Sequence, residues 1–128
     1  MTDLTKYQAA LKEFEDALKN LSEVLKVQKT DIVRDSAIKR FELVFDISWK
    51  AIKAWMEEQG SICNSPLGCF KEAYRQGLIE YQEEWIELVK TRNKTVHTYD
   101  QKLAEDVYGN LAKALTMFEK LLESLQKR

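Results

Sequence analysis

The chain has 128 residues, enough for one domain that buries about two-thirds of the surface its unfolded form would expose. Its 20 basic and 21 acidic residues leave a formal net charge of −1, which excludes an overall polyanion-binding surface and confines any phosphate contact to a local patch. Four glycines, one proline, 32% charged and 45% hydrophobic residues argue against a disordered or all-β chain and for a soluble all-helical one.

The N-terminus, Met1-Thr2-Asp3-Leu4-Thr5-Lys6, lacks the apolar core of a signal sequence, and no apolar run approaches membrane-spanning length. A cytoplasmic protein with no membrane contact is expected. Leu4, Tyr7, Leu11, Phe14, Leu18, Leu21, Leu25 and Gln28 alternate by threes and fours, opposite a face of Lys, Glu and Asp, and predict a long first helix. Gln28-Lys29-Thr30-Asp31 is a polar break in which Thr30 or Asp31 can cap the next helix.

From Ile32 to Gln59 the heptad continues through Ile38, Phe41, Phe45, Ser48, Ile52 and Trp55, while Val44, Trp49 and Met56 widen the stripe. A helix so broadly apolar must touch more than one neighbour, which suits a bundle with room for a second chain on its outer flank. Arg40 and Lys50 read as ordinary surface charges. Gly60 can take the left-handed angles of a helix stop. Cys63 and Cys69, the only cysteines, lack zinc-ligand spacing and a secretory context, so reduced, partly buried thiols are expected.

Ser65-Pro66 starts a short third helix, serine as cap and proline where no backbone donor is needed, and Gly77 ends it. The narrow face of Phe70, Ala73 and Tyr74 suits an element that closes one end of the bundle. The fourth helix is predicted from about Ile79 to Arg92, with Tyr81, Trp85, Ile86, Leu88 and Val89 inward and Glu83, Glu84 and Glu87 as a hydrated face. Leu103, Val107, Leu111, Ala114, Phe118, Leu121 and Leu125 then mark a final helix. Gly109 falls inside it at a cost of roughly 1 kcal/mol, as a place where another backbone would pass close. The sum is an up-and-down four-helix bundle with one short extra helix, a single domain over residues 1–128.

The chemistry concentrates between the fourth and final helices. The series Tyr81, Trp85, Leu88 is continued by Arg92, so a guanidinium occupies a core-stripe position, and an inward arginine calls for an anion or a carboxylate nearby. On an unbroken helix Arg92 and His97, the only histidine, would lie roughly 140° apart. The helix should therefore end or bend between them, with Asn93 suited to left-handed angles and Thr98 to Gln101 shaped like a capping box for the next helix. Lys90, Arg92, Lys94 and Lys102 against Asp100 make a basic patch, which a solvated helix end would explain equally well. A histidine that titrates near neutrality and an arginine that braces a phosphate can together cleave RNA through its own 2′-hydroxyl, with no metal or other cofactor. The Glu-x-x-His pairs of di-iron bundles are absent, Lys94 standing where the glutamate would be. The plainer alternative is that Arg92 and His97 merely tie a helix end to a carboxylate and that Tyr99 packs the corner.

Arg92, four residues, His97, one residue and Tyr99, with polar Asn93 after the arginine, resembles the R-x4-H-x-Y signature of HEPN-domain proteins. In particular it resembles their nucleotidyltransferase-associated, HepT-like branch. The likeness extends to Arg40-Phe41-Glu42, Trp49-Lys50, Ser65-Pro66, Phe70-Lys71-Glu72-Ala73, Gly77-Leu78-Ile79 and Trp85. It implies a two-component toxin–antitoxin system in which this chain, partnered by a small nucleotidyltransferase encoded nearby, is a metal-independent endoribonuclease whose site is shared by a homodimer. Arg92 and His97 would be catalytic, Asn93 and Lys94 would position the phosphate or substrate, and Tyr99 would accept AMP from the partner. The alternative is a non-catalytic subunit that binds a nucleotide or other substrate for that enzyme, and a third reading is an adaptor bundle.

Overall fold

The computed structural model describes residues 3–128; Met1 and Thr2, part of the N-terminal stretch read for a signal core, lie outside them. The described chain is all-helical: α1 (Lys6–Leu25), α2 (Asp31–Glu58), α3 (Pro66–Arg75), α4 (Gln82–Lys94), a 3₁₀ turn (Thr95–His97), α5 (Gln101–Gly109) and α6 (Leu111–Gln126). Among the described residues no helix is long and apolar enough to cross a membrane.

Local chemistry sets the ends of these helices. Thr5 and Gln8 form a reciprocal capping box, Oγ1 accepting from the Gln8 amide at 3.0 Å and Gln8 Oε1 accepting from the Thr5 amide at 2.9 Å, so α1 starts after Leu4, which is left exposed. Thr30, rather than Asp31, caps α2 by accepting from the Val33 amide at 3.1 Å. Ser65 does the same for α3 through the Gly68 amide at 3.0 Å, with Pro66 in the first turn. Both α2 and α3 close in a Schellman motif. Gly60 and Gly77 take φ near +79° and +78°, and the amides beyond them, Ser61 and Leu78, reach back to the Met56 and Ala73 carbonyls.

Cross-helix contacts fix the topology. Lys6 pairs with Glu57 and the Tyr7 hydroxyl donates to the Leu125 carbonyl at 2.8 Å, so α1 runs against both α2 and α6. Lys113 reaches Glu84 and Lys94 reaches Asp106, which sets α4 antiparallel to the α5–α6 segment. The chain therefore goes up, down, up and down, with α3 as the short addition packed on α2 and α4. At the centre a closed circuit of rings joins four elements: Phe118 to Phe41, Phe41 to Phe45, Phe45 to Phe70, Phe70 to Trp85 at 4.7 Å, and Trp85 back to Phe118 at 5.8 Å. Such offset and edge-on pairs add stability beyond the area they bury.

Five expectations need correction. The final helix is two helices, because Asn110 interrupts the ladder at Gly109: its amide donates to the Val107 carbonyl and its side chain to the Asp106 carbonyl, each at 3.0 Å. No backbone passes close, since a Cβ on Gly109 would meet nothing within 4 Å. Tyr81 does not face the core, because α4 begins after it and Leu78 and Ile79 already supply the apolar cover from the preceding loop. Cys63 and Cys69 are not free thiols but a disulfide, since the loop folds back onto the first turn of α3 and brings their Cα atoms to 5.0 Å. The turn between α4 and α5 also departs from expectation, as described next.

Candidate functional site

The corner between α4 and α5 begins with Arg92, which follows Trp85 and Leu88 down one face of α4 and turns its guanidinium onto α2. Nη2 donates to Asp46 Oδ2 at 3.3 Å, Nη1 donates to Thr95 Oγ1 at 2.9 Å, and Glu42 Oε2 lies 3.8 Å away. The guanidinium carbon is 6.0 Å from the centre of the Phe45 ring. The side chain is thus only 22% exposed, and its buried Nε has no acceptor among the described residues.

The expectation of a carboxylate opposite Arg92 is met by two, Glu42 and Asp46, neither of which the sequence singled out. Their signal was available: they are four apart and flank Phe45 on the side of α2 that carries the stripe. Arg40, the more conspicuous neighbour, instead donates to the Asn20 carbonyl at 2.8 Å.

Asn93 does not end the helix. No residue other than glycine has a positive φ among the described residues, and α4 continues through Asn93 and Lys94 before tightening into the 3₁₀ turn. Two threonines cause the tightening. Thr95 is buried, its hydroxyl donating to the Arg92 carbonyl at 2.7 Å while accepting from the guanidinium, and Thr98 donates to the Thr95 carbonyl at 3.0 Å. Thr98 is therefore occupied, and Asp100 caps α5 in its place, accepting from the Lys102 and Leu103 amides at 2.9 and 3.2 Å.

His97 and Tyr99 stand on the solvent side of this turn, their rings edge-on with centres 6.1 Å apart, and Tyr99 is 82% exposed. Asn93 and Lys94 are exposed as well, Lys94 lying 3.4 Å from Asp106 on α5. The corner thus gathers Arg92, Thr95, Asp46 and Glu42 in one cluster and His97 with Tyr99 in another. Among the described residues no hydrogen bond or ion pair joins Arg92 to His97.

A second charged cluster holds the far side of the corner in place. Arg34 is buried at the start of α2, four residues before Ile38 on the same stripe, and donates to Asp35 and Glu105 at 3.0 Å each. Lys29 also hydrogen-bonds Glu105 and lies over the Tyr108 ring. Lys29 first and Arg34 second hold the Glu105 carboxyl below its ordinary range, and the Glu105 hydrogen bond pushes the Arg34 guanidinium up. This network clamps α5, and with it the turn, to α2.

A family profile described as nucleotidyltransferase substrate-binding protein-like matches residues 2–127. The chain belongs to that family, in its HepT-like HEPN branch. Among HepT-like relatives, the probable ribonuclease HepT of Haemophilus influenzae is 36% identical over 107 residues, spanning 76% of this chain and 73% of the relative. A protein of Thermus thermophilus superposes with a TM-score of 0.82 at 33% identity, covering 88% of this chain and 98% of its own. A Haemophilus influenzae protein described as having the fold of a substrate-binding domain of a nucleotidyltransferase superposes with a TM-score of 0.82 at 27% identity, covering 91% and 98%. A mutant of the toxin–antitoxin pair MntA–HepT shares the fold, with a TM-score of 0.77, 17% identity and coverage of 95% and 98%.

Proposed function

We propose that this HepT-like chain works with a small nucleotidyltransferase in a two-component toxin–antitoxin system, and that it is the endoribonuclease of the pair. The observation that carries this reading is the corner itself: an arginine at the end of α4, held on α2 by ion pairs to partly exposed carboxylates, followed five residues later by an exposed histidine on the 3₁₀ segment. The relative named as a probable ribonuclease supports the activity, and the toxin–antitoxin pair with the same fold supports the partner.

In this mechanism the RNA 2′-hydroxyl attacks the adjacent phosphorus while His97 takes its proton; the 5′-oxygen leaves and is protonated by a second imidazole. Arg92 turns from Asp46 to the equatorial oxygens, where charge grows in the transition state. One chain has one histidine, so the second acid comes from a second copy, and the homodimer lines its cleft with both motifs. Val96, 66% exposed within the motif, and Leu43, half exposed beside Glu42, are apolar surfaces that such pairing would cover. Asn93 and Lys94 position the phosphate. Tyr99 projects far enough to accept AMP from the partner, which would add a bulky anion to the corner and silence it.

The test is RNA cleavage by purified protein in EDTA. Wild type is expected to cut, and His97→Ala and Arg92→Ala to lose at least about 100-fold in rate. No cleavage by wild type, with nucleotide or partner binding retained, would favour the second reading, a non-catalytic substrate-binding subunit. The family description supports that second reading. Incubation with ATP and the nucleotidyltransferase should add one AMP mass to wild type and none to Tyr99→Phe.

A further inference from the structure

Arg92 and His97 stand in two clusters that share no direct bond among the described residues, and one buried polar residue lies between them in the chain. Thr95 is only 5% exposed and opens the 3₁₀ turn that carries His97. Its hydroxyl donates to the Arg92 carbonyl at 2.7 Å, the same oxygen accepts from Arg92 Nη1 at 2.9 Å, and its own carbonyl accepts from Thr98 Oγ1 at 3.0 Å. We infer, on the reading of the corner as an RNA-cleaving site, that Thr95 is a positioning residue for that reaction: its hydroxyl fixes the Arg92 head relative to the turn that presents His97. It touches neither the phosphate nor the transferred proton, and acts through Arg92.

Connectivity, charge and shape single out this hydroxyl. One oxygen grips both the backbone and the head of Arg92, so a side chain rich in rotamers is tied to its own turn of helix before any substrate arrives. The other partners of that head, Asp46 and Glu42, are anions at a partly open surface, and a phosphate competes with them for the same guanidinium. A neutral hydroxyl whose proton is already committed to a carbonyl does not compete in that way. The Nη1 contact therefore persists while Nη2 leaves Asp46 for the phosphate. Threonine suits the task because its branched Cβ leaves few χ1 positions, and back-bonding to the carbonyl three residues earlier selects one of them. The Arg92 carbonyl also accepts from the Thr95 amide, so it keeps a donor when the hydroxyl is removed, whereas Nη1 keeps only Glu42, at 3.8 Å, among the described residues. Loss of the hydroxyl thus falls first on the guanidinium. A shift of Thr95 would also move the closure by Thr98, so Arg92 and His97 keep their relation through this one residue.

The experiment compares the full chain as wild type, as Thr95→Val, which keeps the branched shape and removes the oxygen, and as Thr95→Ser, which keeps the oxygen. Cleavage of a labelled single-stranded RNA is followed in EDTA, with melting temperatures measured alongside. Thr95→Val is expected to lose about tenfold or more in kcat with KM changed by less than about twofold, because a displaced guanidinium weakens the transition state more than the bound substrate. Thr95→Ser should recover most of that loss. Thr95→Val cleaving as wild type does, equal loss in both variants, a loss confined to KM, or a loss that tracks the melting temperature would overturn the role of Thr95 and leave the corner's activity standing. Wild type that leaves the RNA uncut would overturn the reading of the corner, and the role of Thr95 with it. A measurement on the ¹⁵N-labelled wild type holds whether or not Thr95→Val folds: the Nη1 and Nη2 protons of Arg92 should give separate resonances, and a single averaged signal would mean that the head is not held.

Discussion

Arg92 is the residue where packing and chemistry compete. Its partners Asp46 and Glu42 are 43% and 21% exposed, so the ion pairs are solvent-screened and worth little, about 0–1 kcal/mol. Arg92→Ala should accordingly lower the melting temperature by only a few degrees while removing activity; a collapse in stability would instead mark Arg92 as a structural tie. Arg92→Lys should not restore activity, because an ammonium cannot hold Thr95 and a phosphate with one planar fork. The sequence revealed the inward arginine, since Trp85 and Leu88 set a spacing that Arg92 completes. It offered Glu42 and Asp46 as an i,i+4 acidic pair beside Phe45, but which acid of α2 meets Arg92 depends on how α2 and α4 are rotated against each other, which the spacing does not encode. His97 and Tyr99 were legible as residues, but their place on a 3₁₀ turn was not, since two threonine hydroxyls rather than Asn93 make that turn.

Helices were legible where a single residue type forces an end: Thr30, Gly60, Ser65 with Pro66, and Gly77 all act as their chemistry requires. They were illegible where two residues competed for one cap, as with Thr98 and Asp100, or where an asparagine side chain outcompeted an otherwise continuous apolar stripe at Asn110. The clamp between α5 and α2 gives a test at this scale. The Glu105 carboxyl is held below its ordinary value of 4.5, chiefly by Lys29, so its contribution is present above the ordinary carboxylate range and is lost as pH falls through the lowered value. Glu105→Gln should therefore melt lower than wild type at pH 7, and the difference should shrink as melts are repeated down to pH 3. The disulfide offers a second test. Closing so short a loop stabilises by about 2 kcal/mol in chain-entropy terms, so dithiothreitol should lower the melting temperature by several degrees, with Cys63→Ser giving the same value with or without reductant. Spacing alone could not announce that bond, because it depends on the Ser65 cap folding the loop back.

At the scale of the whole molecule, the bundle closes where its first and last helices meet. The Tyr7 hydroxyl donates to the Leu125 carbonyl across nearly the full length of the chain, and burial first, then the nearby Glu58 charge, pushes its pKa to about 12 against an ordinary 10.0. Ionising Tyr7 would put a phenolate beside a carbonyl oxygen and near the Glu58 carboxylate, offset only in part by the Arg128 charge. Its folded value lies above its unfolded one, so the stabilisation is complete below pH 10 and is lost as pH rises toward 12, a change that solvent screening holds below roughly 3 kcal/mol. Tyr7→Phe leaves the Leu125 carbonyl without that donor and should cost about 1 kcal/mol at pH 7. The same substitution removes the group that titrates, so denaturant midpoints of variant and wild type should converge above pH 10 and cross at about pH 11, before the folded-state value is reached. Midpoints that stay parallel over that range would mean that Tyr7 ionises without breaking the contact between α1 and α6, and that apolar packing and the Gln126–Glu15 hydrogen bond hold the two ends of the chain without it.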